Sequence, residues 1–174
     1  MLRLMLLRHA KSDWPDGVAD HERPLARRGR EAAPVVGSYM AAEQLVPDLV
    51  IVSTARRTRL TWDLVAAAFR EEVPVRFEER IYEASPEDIL SVIQATPDTV
   101  RTLLVVGHNP GFEELAGRLV GHGDRYAFAR MLQKFPTAAL AVIDFAVERW
   151  DALADRGGRL DRFITPRMIG GVDD

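Results

Sequence analysis

The 174-residue sequence contains no cysteine. That excludes disulfides, thiolate metal sites and a cysteine nucleophile. Lysine is nearly absent too: only Lys11 and Lys134 occur among 23 basic residues, and the rest are arginines. Clusters such as ARRGR (26–30) and ARRTR (55–59) must therefore be judged by position and not by crowding. No apolar run approaches the roughly 20 residues of a membrane span. The opening run is short and interrupted by Arg3, unlike a secretory signal, so a cytoplasmic protein is expected. A net charge of −3 lacks the basic excess of nucleic-acid-binding domains. Repeats, linkers and low-complexity blocks are likewise missing.

What is present is a 47% hydrophobic chain of a length that suits one domain, about 100–200 residues. Residues 2–7, 48–53, 73–77, 101–107 and 139–146 read as short apolar strands. Between them lie helical patterns: 28–44 (despite Pro34), the stretch RRTRLTWDLVAAAF, 85–95 with Ser85 as N-cap, and NPGFEELAGRLV. Beyond residue 146 apolar residues thin out, and that part reads as loose. The expected organisation is one domain over 1–165 with a short tail, 166–174. Strands alternating with helices predict a three-layer α/β/α sandwich with a largely parallel central sheet.

In such folds ligands sit beyond the carboxyl ends of the strands. Arg8 and His9 follow the first strand, Ser53 and the RRTR arginines the second, Glu79 the third and His108 the fourth. A phosphoryl group suits this set. Arginine's planar fork matches phosphate oxygens and stays charged. Two arginines and one histidine can surround three non-bridging oxygens, leaving the second histidine to attack phosphorus in line. A nearby carboxylic acid can protonate the leaving atom. Nothing in the pattern suggests a metal cluster.

LLRHAKS resembles the RHG/RHA signature of the histidine phosphatase superfamily, which has the phosphoglycerate-mutase-like fold. STARRTRLT is similar to its second motif, and VVGHNPG to its later strand–GH motif. DHERPLARRGREAA and FPTAAL match the compact SixA-like phosphohistidine phosphatases within it. The resemblance extends to about residue 150. It implies His9 as nucleophile, with Arg8, Arg57 and His108 binding the phosphoryl group. Helical spacing sets Arg56 and Arg59 on one face with Arg57 turned away, and the motif register selects Arg57. By register with Tyr82, an ER.Y pattern of the mutases places the acid at Glu79, with Glu83 the alternative. The chain departs from the common pattern at Ala10, at Thr54 and at Pro15, where many members carry asparagine.

The implied activity is that of a metal-independent, cofactor-free bacterial phosphatase, a monomer acting on a histidine-phosphorylated signalling protein. A phosphatase of a small phosphomonoester and a non-catalytic phosphate-binding module are the competing readings. Segment 61–107 has no room for an inserted lid, so an open pocket is expected. Asp20, Arg23 and Arg28 are expected to fix their loop by ion pairs, and His21 and His122 to face solvent. Trp62 and Trp150 read as packing residues, and Trp14 as either packing or lining the pocket mouth.

Overall fold

Among the described residues, seven strands form one sheet: β1 (Leu2–Arg8), β2 (Leu49–Ser53), β3 (Val75–Glu78), β4 (Thr102–Gly107), β5 (Val120–Gly123), β6 (Leu140–Phe145) and β7 (Gly158–Ile164). The order across it is β3-β2-β4-β1-β6-β7-β5. The structure is a computed structural model that describes residues 1–171. The strand pairings run six strands one way and β6 against them. The sheet is thus largely parallel, as the alternation of strands and helices predicts.

Among the described residues, five helices cover it: α1 (Arg27–Ala42), α2 (Arg56–Ala66), α3 (Pro86–Gln94), α4 (Gly111–Leu119) and α5 (Arg125–Gln133). Side chains alternate across the pleat, and β1 shows the consequence. Leu4 and Leu6 enter a core shared with α3, α4 and α5, whereas Met5 and Leu7 enter a second core shared with α1 and α2. Both faces are dry, which explains why β1 reads as an unbroken apolar run. None of the helices among the described residues is long and apolar enough to cross a membrane.

Four elements differ from the sequence expectation. Residues 158–164 are not loose but form β7, which pairs with β6 and β5. Its GRLDRFI pattern hides it because Arg159 and Arg162 spend their charge on Asp144, Asp161 and Glu43 while Leu160 and Phe163 alone are buried hydrophobics. β5 (VGHG) and α5 offer too little apolar periodicity to announce themselves; α5 buries only Ala127 and Met131. Within the expected tail, Pro166–Ile169 forms a 3-10 turn whose Ile169 packs on the α1 side of the core. Residues 172–174 lie outside the described residues.

Register carries the fold toward chemistry. In the β1–β4 pair Arg8 stands opposite Gly107, and in the β2–β4 pair Val52 stands opposite Val106. His9, His108 and Ser53 therefore leave three adjacent strands at one level. Since β6 runs the other way, its entry segment, residues 135–139, arrives at that same edge.

Candidate active site

A cleft of about 610 Å³ opens at this edge, and Arg8, His9, Arg57 and His108 all line it. Its geometry is held by the chain around it. The His9 N–H donates to Gly107 O (3.0 Å), and the Ala138 N–H is shared between the carbonyls of Arg8 and His9 at 3.0 Å each. Ala138 makes that contact in the left-handed region, φ 61°, a conformation costing about 1–2 kcal/mol for a residue with a Cβ. The Ala10 N–H donates to Thr61 Oγ1 (3.0 Å), and Thr61 in turn donates to Arg57 O (2.7 Å), tying the loop after β1 to α2. The first turn of α1 seats directly on that loop: a Cβ on Gly29 would stand 2.1 Å from Lys11 O.

The two histidines sit side by side, ring centroids 5.4 Å apart, and both are buried. His9 Nδ1 lies 2.7 Å from Ala10 O. A carbonyl can only accept, so Nδ1 carries the proton and Nε2 carries a lone pair. Burial pushes the His9 pKa well below the ordinary imidazole value, with His108, Arg8 and Arg57 adding to the effect against the Ala10 hydrogen bond. The ring is neutral at pH 7 and is aimed by its own backbone. His108 Nε2 lies 2.7 Å from Ser53 Oγ, while its Nδ1 is buried without a protein partner. Burial, then Arg57 and Arg8, bring the His108 pKa down to about 3, against the opposing pull of Asp20.

Of the three neighbouring arginines, Arg57 is the buried one, whereas Arg56 is exposed and Arg59 reaches out to Glu22. Arg57 Nη1 donates to Asp20 O (2.8 Å) and Nη2 to Asp20 Oδ2 (3.2 Å); its Nε is buried without a partner. Asp20 also accepts from Arg23 Nη1 (3.0 Å) and from the Tyr82 hydroxyl. The Tyr82 hydrogen bond, followed by those of Arg23 and Arg57, outweighs desolvation and lowers the Asp20 pKa to about 2. Arg8 Nη1 donates to Phe135 O (3.0 Å), a carbonyl that also accepts from Asn109 Nδ2 (2.9 Å).

The two glutamates considered for the acid occupy different places. Glu79 is exposed and is not among the cleft-lining residues; Glu83 is. β3 is the edge strand, three positions from β1, or about 14 Å at ordinary strand spacing. Glu79 opens the 3-10 turn at the end of that strand, whereas Glu83, Ala84 and Ser85, in the loop toward α3, line the cleft. Glu83 holds that loop with φ 51°. Asp20, bound to Arg57, and Ser53, bound to His108, hold partner roles that the sequence did not assign to them. Ser53 was visible as a motif end, but nothing local marks it as a histidine's partner. His21 is half-buried, between Glu22 and Thr54, and not fully solvent-facing. Among the described residues, no three His, Asp or Glu side chains gather to hold a metal ion.

Residues 4–92 match the family model of the histidine phosphatase superfamily (branch 1). The uncharacterized protein Rv1276c of Mycobacterium tuberculosis is 42% identical over 163 residues, which span 92% of this chain and all of that protein. A solved structure from Agrobacterium tumefaciens, provisionally named phosphohistidine phosphatase SixA, superposes with a TM-score of 0.81 at 32% identity, covering 95% of this chain and 98% of that one. A similarly named structure from Nakamurella multipartitia gives 0.81 at 29% identity, over 95% and 96% of the two chains.

Proposed function

The chain belongs to the histidine phosphatase superfamily (branch 1) and to its SixA-like branch, and from that premise we propose that this phosphatase hydrolyses phosphohistidine on a protein, through a phosphohistidine on its own His9. The observation that carries the reading is the His9 ring: its Nδ1 proton is committed to Ala10 O, and burial keeps the ring neutral. An Nε2 lone pair in a cleft lined by Arg8 and Arg57 is what in-line attack on phosphorus requires.

In this account the forks of Arg8 and Arg57, with the His108 Nδ1–H, hold the three non-bridging oxygens. His9 Nε2 forms a bond to phosphorus as the substrate's P–N bond breaks, and that electron pair leaves on the substrate imidazole. Glu83, the glutamate lining the cleft, supplies the proton. Asp20 is unsuited to that task because its neighbours keep it ionised. In the second half, water attacks phosphorus, Glu83 takes its proton, and the P–Nε2 pair returns to His9. The products are histidine and inorganic phosphate.

A protein substrate is favoured by what surrounds the cleft. Between α2 and β4 the chain has only β3, a 3-10 turn at Glu79–Ile81 and α3, so no inserted element encloses a small ligand. Good small-molecule sites bury most of their ligand, and here contacts outside the cleft must supply the remaining affinity. A turnover panel tests this: a phosphohistidine protein should exceed sugar and nucleotide monophosphates in kcat/KM, mainly through KM. A sugar phosphate or nucleotide with KM near the tight end of the usual range, about 1 μM, would move the assignment to a small phosphomonoester.

A further inference from the structure

Among the described residues, Trp14 is the only tryptophan, tyrosine or phenylalanine lining the cleft. It is also unlike the other two tryptophans. Trp62 and Trp150 are 4% and 0% exposed, whereas Trp14 is 72% exposed. A lone exposed apolar residue is ordinary and carries no message by itself. Trp14 differs because it is pinned. The Arg23 guanidinium lies over the indole, 3.2 Å from carbon Cζ to the ring centroid. Arg23 is itself buried and immobilised: Nε donates to Asp13 O (3.0 Å), Nη1 to Asp20 Oδ1 (3.0 Å) and Nη2 to Ser12 Oγ (2.5 Å). The backbone beneath is also held, since the Asp13 N–H donates to Pro24 O and Ser12 bridges to Leu25. One indole face is thus occupied by a fixed cation, and the exposure of the residue leaves the rest of the ring open.

Resting on the function proposed above, we propose that Trp14 is the specificity-determining platform on which the imidazole ring of the phosphorylated side chain stacks. In-line attack sends the leaving group to the side of phosphorus away from His9, hence toward the mouth of the cleft. The floor offers cations and histidines that suit phosphoryl oxygens. Trp14 offers what a flat, weakly polar ring needs: an open aromatic face whose orientation is fixed before the ligand arrives. A phosphorylated serine or an acyl phosphate has no ring to place there.

The test needs no turnover. A peptide carrying a non-hydrolysable phosphohistidine analogue, with a P–C bond on a five-membered aromatic ring, is titrated into the full chain. Calorimetry reads binding, and acrylamide quenching reads the one exposed tryptophan. Saturating peptide should shield the fluorescence from acrylamide, and saturating inorganic phosphate should not. Trp14→Ala should weaken the peptide about fivefold, as loss of one aromatic pair does, leave phosphate binding unchanged, and be rescued by Trp14→Phe. A peptide that binds without shielding the indole, or a Trp14→Ala change equal for peptide and phosphate, overturns the platform while the phosphohistidine assignment stands. Phosphate binding without any peptide binding overturns both.

Discussion

Ser53→Ala is the most informative perturbation outside the nucleophile, because it removes one hydroxyl and no charge. Ser53 is fully buried, and its Oγ sits 2.7 Å from His108 Nε2. The Ala55 N–H approaches the same oxygen at 3.5 Å, and among the described residues the imidazole is the one acceptor recorded for the hydroxyl proton. With Nε2 accepting, the neutral His108 ring must carry its proton on Nδ1, the atom without a protein partner. Removing the hydroxyl leaves Nε2 buried and unsatisfied and releases the tautomer. Leaving a buried polar atom unpaired costs about 1–3 kcal/mol, or about 5- to 150-fold in kcat/KM if the wrong tautomer turns a lone pair toward the phosphoryl oxygens. Steady-state kinetics on a phosphohistidine peptide at pH 7 read the loss, and nitrogen NMR of the His108 ring reads the tautomer directly. A variant with unchanged kcat/KM, or with the Nδ1–H tautomer intact, would refute the argument.

Arg57→Lys should lower kcat/KM by about 2–4 kcal/mol of transition-state stabilisation, since a point charge cannot replace a fork held by Asp20; near-wild-type kinetics would remove Arg57 from the site. Glu83→Gln should slow turnover most for substrates with poor leaving groups, whereas Glu79→Gln should behave as wild type; the reverse pattern would restore the mutase-like register. Because His9 and His108 are both held below the ordinary imidazole pKa, the unfolded chain binds more protons than the folded one below about pH 6.5. Stability is then full above that pH and falls on acidification by up to about 1.4 kcal/mol per pH unit for each ring. Urea midpoints at pH 7 and pH 5 measure this, His108→Asn should flatten the dependence, and identical wild-type midpoints would contradict it. Asp20→Asn should lower the urea midpoint by about 1 kcal/mol equivalent at pH 7, a small figure because the carboxylate is partly exposed; an unchanged midpoint would show the Arg23–Asp20–Arg57 network to be energetically idle.

Among the strands, those most plainly legible in the sequence are buried on both faces. β1, β2 and β4 are the inner strands around which the site is built, and continuous apolar runs betray them. β7 and α5 were not legible because their burial is one-sided and their polar positions are paired locally; Arg162, for example, satisfies Asp161, Tyr39 and Glu43 together. The site divides the same way. Arg8, His9 and His108 sit at ends of central strands, so chain order and register place them together. Glu79 follows the edge strand, and motif register carries no information about how far that edge lies from β1. Ser53 and Asp20 act through partners 55 and 37 residues away, contacts that no local pattern encodes.

The proposed mechanism requires His9 Nε2 to become phosphorylated during turnover. Rapid quenching of the enzyme with a radiolabelled phosphohistidine substrate, followed by peptide mapping under alkaline conditions, shows whether it does. A base-stable, acid-labile phosphoryl group on His9, formed and lost at rates compatible with kcat and absent from His9→Ala along with activity, is the expected result. Label on another residue, or a His9→Ala variant that still turns over substrate, would contradict it.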